Sequence, residues 1–215
     1  MKHLELRERV VEACKFIEEK GLNWGFSGNI SVRLPENGLY LMTPSGLRKS
    51  GLRQEDLVVV DELGNVIEGE RPPTSEYLMH LTVYKARPDV GAVVHAHPLY
   101  VSVLAALRRR LEPLLDEIIV YLGGEVEVAE YALPGSEELA RNVVKALGDR
   151  CAVILANHGA LTCGSDLDEA LDALVYLERA AMVSVLCSLM GRPNLLPPEA
   201  LEIERQLYLL RRGLS

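Results

Sequence analysis

Positive charge is the scarcer sign in this chain: 23 lysines and arginines stand against 31 aspartates and glutamates, leaving a net charge of -8. The longest basic run is Arg108-Arg109-Arg110, so no extended surface is offered to a polyanion and nucleic acid is not an expected partner. Cysteine is sparse too. Cys14, Cys151, Cys163 and Cys187 lie far apart without a C-x-x-C pair, and the chain opens MKHLELRERVVE rather than with an apolar secretory segment, a pattern that reads as a reduced, cytoplasmic protein. No uncharged apolar run reaches the roughly 18 to 20 residues needed to cross a bilayer; AAMVSVLCSLM, at 180–190, falls short, and no membrane partner is expected. Repeats, low-complexity tracts and breaks in composition are absent, so the expectation is one domain over residues 1–215 with a full apolar core.

What is present is helix and hairpin patterning in alternation. Leu6, Val10, Cys14 and Ile17 repeat at helical spacing up to Gly21. NISVRLPENGLYLMTP reads as a hairpin turning at Pro35–Gly38, and LVVVDELGNVIEG as a second one at Gly64-Asn65. TSEYLMHLTVYKA predicts a helix ending where Arg87 meets Pro88, with Glu76 in its first turn. GAVVHAH predicts a strand, after which Pro98 opens a helix. EVEVAEY predicts another strand, and Ser136 caps a helix running towards Gly148. CAVILANHGALTCG predicts strand, turn and strand. A last long helix, capped through Ser165 and Asp168, runs to Gly191, and a short terminal helix follows. These elements predict an α/β fold on a largely antiparallel sheet.

In a strand the side chains at i and i+2 share a face, whereas in a helix they diverge by roughly 200 degrees. His95 and His97 can therefore aim together only because GAVVHAH is extended, and two such imidazoles can share a zinc-like divalent ion. His158, just after the apolar run CAVILA and before Gly159, is the candidate third ligand. Thr74 and Ser75 would put hydroxyls and free backbone N–H groups at a helix start, an arrangement able to hold a phosphate beside the Glu76 carboxylate. The turns Ser27-Gly28-Asn29 and Ser45-Gly46 could add further donors. His3 and His80 lack a strand-end context; both read as structural, although His80 lies four residues after Glu76 and could orient it.

Taken in order and spacing, GFSGNISVR, LMTPSG, PPTSEYLMH, AVVHAH and NHGAL resemble the class II aldolase and adducin-head family, and within it the enzymes that cleave L-fuculose 1-phosphate. The resemblance spans most of the chain. It implies a three-layer α/β/α sandwich on a mainly antiparallel sheet, and a fourfold homotetramer with active sites at subunit interfaces. It implies that His95, His97 and His158 bind Zn2+, one per subunit, that Glu76 ligates the resting metal and acts as acid/base, and that Gly28, Asn29, Ser45, Gly46, Thr74 and Ser75 hold the substrate phosphate. The implied reaction is reversible cleavage of a ketose 1-phosphate into dihydroxyacetone phosphate and an aldehyde, with the zinc polarising the carbonyl. The chain departs from the family pattern in two places. Glu117 stands where a tyrosine is expected six residues before Gly123-Gly124, and Pro134 where a phenylalanine is expected before Gly135. Tyr208 lies near the place of a tail tyrosine that assists the family reaction. The rival readings are a pentulose-phosphate 4-epimerase, whose pattern has S-D where this chain has Ser75-Glu76, a methylthioribulose-1-phosphate dehydratase, and a catalytically silent adducin-like interaction module. A cupin-type metal protein shares H-x-H but expects a glutamate soon after it, and residues 99–107 contain none.

Overall fold

Both expected hairpins form. The first joins β1 (Asn29–Arg33) to β2 (Leu39–Met42) with Val32 opposite Leu41. The second joins β3 (Val58–Asp61) to β4 (Val66–Glu68) through Gly64, whose φ of 85° suits a residue without a Cβ. These elements belong to a computed structural model that describes residues 2–214. β5 (Ala92–Ala96), β6 (Val128–Ala129), β7 (Ala152–Leu155) and β8 (Gly159–Gly164) complete one sheet in the order β4-β3-β2-β1-β5-β8-β7-β6. Among the described residues only the β6–β7 pair is parallel.

Alternation along the strands divides the apolar side chains between two faces. Met42, Val58, Val60, Val93 and Val153 pack under α2 (Tyr77–Ala86) and α5 (Glu137–Leu147). Leu41, Val59, Ala92 and Val94 face α1 (Leu4–Glu19) and α6 (Leu167–Met190). Ile154 and Ala160 lie on the same side under α3 (Leu99–Leu107), α4 (Asp116–Leu122) and α6. Each valine buried this way contributes about 1.5–3 kcal/mol. The result is the expected α/β/α sandwich.

Four local expectations need correction. EVEVAEY contributes only Val128–Ala129 to the ladder, because it is an edge strand bearing Glu125, Glu127 and Glu130, and charge on an edge limits pairing. The long helix is capped one residue later than expected: Asp166 accepts the Glu169 N–H at 2.9 Å, while the Glu169 carboxylate accepts the Ser165 N–H at 2.7 Å. The terminal helix α7 (Pro198–Arg212) is 15 residues rather than short, with proline in its first turn. The chain also forms α4, a seven-residue helix without an amphipathic repeat, between the acidic pair Asp116-Glu117 and left-handed Gly123.

By length and composition, α6 is the one helix among the described residues able to cross a membrane, with a mean hydropathy of 1.6 over its most apolar stretch. Its Ala173, Leu177, Ala180 and Ala181 pack with Ile154, Ala160 and α3, and Glu178 accepts the backbone N–H groups of Tyr100 and Val101 at 2.9 Å each. Those are the contacts of a core helix.

Candidate functional site

Two strand ends and one helix start meet at the α2 side of the sheet. His95, on β5, pairs in register with Asn29 on β1 and Leu161 on β8, and His97 follows just past the strand end. Their Nε2 atoms approach to 3.0 Å. The Nδ1 of His95 lies 2.8 Å from the Ala160 carbonyl; a carbonyl only accepts, so that nitrogen carries the proton and the Nε2 lone pair is left facing its neighbour. His158 joins them from the β7–β8 turn, where Asn157 takes a left-handed φ of 56°. The donor atoms of the three rings lie within 4.8 Å of one another. Gly159 is required here, because a Cβ at that position would meet the Ala96 carbonyl at 2.6 Å and the His97 ring at 2.8 Å.

Glu76 sits one residue ahead of the first turn of α2, with a φ of -104°. Its Oε2 accepts an Asn29 Nδ2–H at 3.0 Å and lies 3.2 Å from His95 Nε2. Its Oε1 is 3.6 Å from His158 Nε2, too far for a hydrogen bond. Among the described residues Glu76 Oε1 and His158 Nδ1 are buried without any partner, an arrangement that ordinarily costs about 1–3 kcal/mol per group. Three imidazoles converging beside a buried carboxylate with a free oxygen fit a divalent metal, both in donor type and in the groups left unsatisfied. Burial, and after it the neighbouring His95, pushes His97 down to about 3 and His158 to about 4, so both imidazoles are neutral donors at pH 7. Burial by itself would raise the Glu76 pKa. The adjacent His95 and His158, with the Asn29 amide, outweigh it and hold the carboxyl well below its ordinary range.

A recess of about 200 Å³ opens beside this cluster, and Gly28, Asn29, Ser45, Gly46, Thr74, Ser75, Glu76, His97 and His158 all line it. The structure thus brings together every expected site residue, with His95 fully buried behind them. The donors differ in detail from expectation. Residues 43–46 pair with residues 72–75, so the Thr74 N–H goes to the Thr43 carbonyl at 3.1 Å and the Ser45 N–H to Pro72 at 3.1 Å. Thr74 and Ser45 therefore offer hydroxyls. The N–H groups of Gly28, Gly46 and Ser75 have no partner among the described residues.

Two contributors escaped the sequence reading. Lys49 lines the recess at 3% exposure and, among the described residues, has no carboxylate within ion-pair distance; its Nζ donates to the Leu47 carbonyl at 3.2 Å. Burial lowers its pKa, and the nearby Cys14 and Glu76 oppose that shift. A lysine three residues beyond the TPSG turn was the signal available. Asn23, also buried, bonds both the carbonyl and the hydroxyl of Ser27 and so shapes the turn at Gly28, where a Cβ would strike it at 2.7 Å.

The remaining candidates separate cleanly. Pro134 lines the recess, whereas Glu117 on α4 pairs with Arg179 on α6, away from it. Tyr208 is a core residue. Its hydroxyl donates to the Asp149 carbonyl at 3.0 Å and meets Cys151 Sγ at 3.1 Å. His3 lies beside Glu36 at 3.3 Å. His80 does not touch Glu76; its ring bonds Asn29 and Ser31 instead.

A family model described as the class II aldolase and adducin N-terminal domain matches residues 8–185. A 5-deoxy-D-ribulose 1-phosphate aldolase of Bacillus thuringiensis serovar kurstaki is 37% identical over 91% of this chain and 92% of its own length. A 5-methylthioribulose-1-phosphate/5-deoxyribulose-1-phosphate aldolase of Rhodospirillum rubrum is also 37% identical, over 93% of this chain and 89% of its own. Among solved structures, an L-fuculose 1-phosphate aldolase superposes with a TM-score of 0.92 at 39% identity, covering 97% of this chain and 98% of that one.

Proposed function

Because the chain belongs to the class II aldolase and adducin N-terminal domain family, we propose that it is a metal-dependent aldolase acting on a ketose 1-phosphate whose far end is a methyl group. L-fuculose 1-phosphate and 5-deoxyribulose 1-phosphate share that chemistry, and relatives named for each resemble the chain. Cleavage between C3 and C4 leaves dihydroxyacetone phosphate in both cases, with lactaldehyde from the first and acetaldehyde from the second. The observation that carries the reading is the single recess in which an under-bonded Glu76, two of the clustered imidazoles and three free backbone N–H groups adjoin.

His95, His97 and His158 would hold a divalent ion, zinc being the best match to three imidazoles, with Glu76 beside it. That ion supplies positive charge to polarise the substrate carbonyl and to stabilise the negative charge left when the carbon–carbon bond breaks. The N–H groups of Gly28, Gly46 and Ser75, with the hydroxyls of Ser45, Thr74 and Ser75 and the second Asn29 N–H, orient the phosphate by hydrogen bonds to its oxygens. Lys49 is its buried counter-charge. Glu76 moves the proton at the carbon that becomes C3 of dihydroxyacetone phosphate, through an oxygen that no protein group occupies. Pro134, compact where the family carries phenylalanine, borders the recess and leaves more room there.

A panel of ketose 1-phosphates tests the reading, with cleaved, epimerised and dehydrated products followed together on protein whose assembly is measured by sedimentation. Release of dihydroxyacetone phosphate from a methyl-ended substrate, by a single-domain chain assembled in fours, is the expected result. Metal-loaded protein that cleaves none of the panel would refute the aldolase. Epimerisation or dehydration without cleavage would replace it with the corresponding rival. Lys49→Met is expected to raise the KM for the phosphorylated substrate roughly tenfold to a hundredfold, the worth of one charge-assisted hydrogen bond. Inhibition by inorganic phosphate should weaken in parallel, and an unchanged inhibition constant would remove Lys49 from the phosphate site.

A further inference from the structure

Beneath Glu76 runs a line of buried side chains, of which only Asn29 has a part in the reading above. The Tyr84 hydroxyl lies 2.9 Å from Ser31 Oγ, which lies 2.7 Å from His80 Nδ1. On the other side of the ring, His80 Nε2 is 2.5 Å from Asn29 Oδ1, and Asn29 Nδ2 donates to Glu76 Oε2 at 3.0 Å. His80 and Ser31 are completely buried, and Asn29 and Tyr84 nearly so. The donor and acceptor inventory gives this line one direction. A carboxylate accepts, so the Asn29 amide must turn its NH2 to Glu76 and its oxygen to His80. The ring then carries its proton on Nε2 and accepts at Nδ1 from the Ser31 hydroxyl, which in turn accepts from Tyr84.

We propose that His80, as the Nε2–H tautomer, is a positioning residue that locks the orientation of the Asn29 amide and thereby holds Glu76 by Oε2, keeping Oε1 open to the site. Asn29 both donates to the Glu76 carboxylate and lines the recess, so this lock sets the acid/base and the phosphate end in a common register. An unlocked amide could flip. Its oxygen would then face Glu76, two acceptors in contact, and the carboxylate would swing away. The lone His80 ring is a proton donor to Asn29 and an acceptor from Ser31 at once, which no apolar side chain of similar volume reproduces.

The inference rests on Glu76 being the acid/base, and the experiment keeps the two apart. Ring-nitrogen NMR of the metal-free protein is expected to show His80 protonated at Nε2 and bare at Nδ1, unchanged between pH 5 and pH 9. A proton on Nδ1 overturns the proposal whatever the activity. In turnover, His80→Leu fills the space without the hydrogen bonds and is expected to lower kcat at least tenfold in folded, metal-loaded protein. His80→Gln, which can donate to Asn29 and accept from Ser31, should recover most of that loss. Equal kcat in the Leu and Gln variants overturns the positioning role, since a space-filling residue would not distinguish them. If Glu76→Gln is silent as well, it is the acid/base assignment that fails; if Glu76→Gln is inactive while His80→Leu is normal, only the lock fails.

Discussion

Glu76→Gln is expected to leave the fold intact and to lower kcat about 10²- to 10⁴-fold, the range over which a positioned acid/base contributes. The fold survives because glutamine keeps the local bonds. Its amide oxygen can accept from Asn29 as Oε2 does now at 3.0 Å, and its NH2 can point to the ring of His158, 3.6 Å from the present Oε1. What it cannot do is take up a proton and return it. The loss should fall on kcat with little change in KM, since the phosphate donors of the recess are untouched. At 25 °C the decrease corresponds to about 3–5 kcal/mol of lost barrier reduction. Steady-state kinetics alongside thermal unfolding make the test, and near-normal turnover in a folded variant would take Glu76 out of the reaction.

The parts of this protein that were legible in the sequence are those governed by local periodicity and by short rigid turns. Strand alternation announced that His95 and His97 share a face, and the structure aims their Nε2 atoms at each other. The glycine after His158 announced a close approach, which the Ala96 carbonyl and the His97 ring make tight. The free-donor reading of Thr74 failed for a non-local reason: its N–H is bonded by Thr43, thirty-one residues earlier in the chain. Lys49 was missed for a related reason. On its own a lysine in a polar turn reads as solvated, and only the packing of α1 against that turn buries it. Helical spacing suggests a direct contact between His80 and Glu76, whereas the hydrogen-bonded path between them runs through Asn29 on the neighbouring β1 strand. α4 went unseen because seven residues give too few turns for a periodic signal.

Removing one imidazole is expected to cost the site its metal. His158→Ala or His97→Ala should weaken divalent-ion binding by more than the 10- to 100-fold typical of losing a supporting residue outside the ligand set, and activity should fall with occupancy. The same loss should follow chelation of the unaltered protein, with recovery on adding back zinc. pH supplies an independent reading. His97 and His158 titrate near 3 and 4 because burial, and then His95, disfavours their charged forms, so protons compete little for these nitrogens at neutrality and increasingly as pH falls towards 4. The sign for the metal-free protein follows from the same shifts. In the unfolded chain these histidines bind protons below about 6.5, while in the folded site they refuse them until pH 4 to 3. Folded protein is therefore at full advantage above pH 6.5 and loses stability as pH falls through that window. Added zinc should raise the unfolding temperature at pH 7 according to mass action, and that rise should shrink as pH falls through about 4 towards 3, where His158 and then His97 take up protons. His97→Ala protein that still takes up one ion per chain with unaltered affinity would place the metal elsewhere. A zinc-induced rise in unfolding temperature that persists undiminished below pH 3 would do the same, because imidazoles that have taken up protons cannot hold the ion.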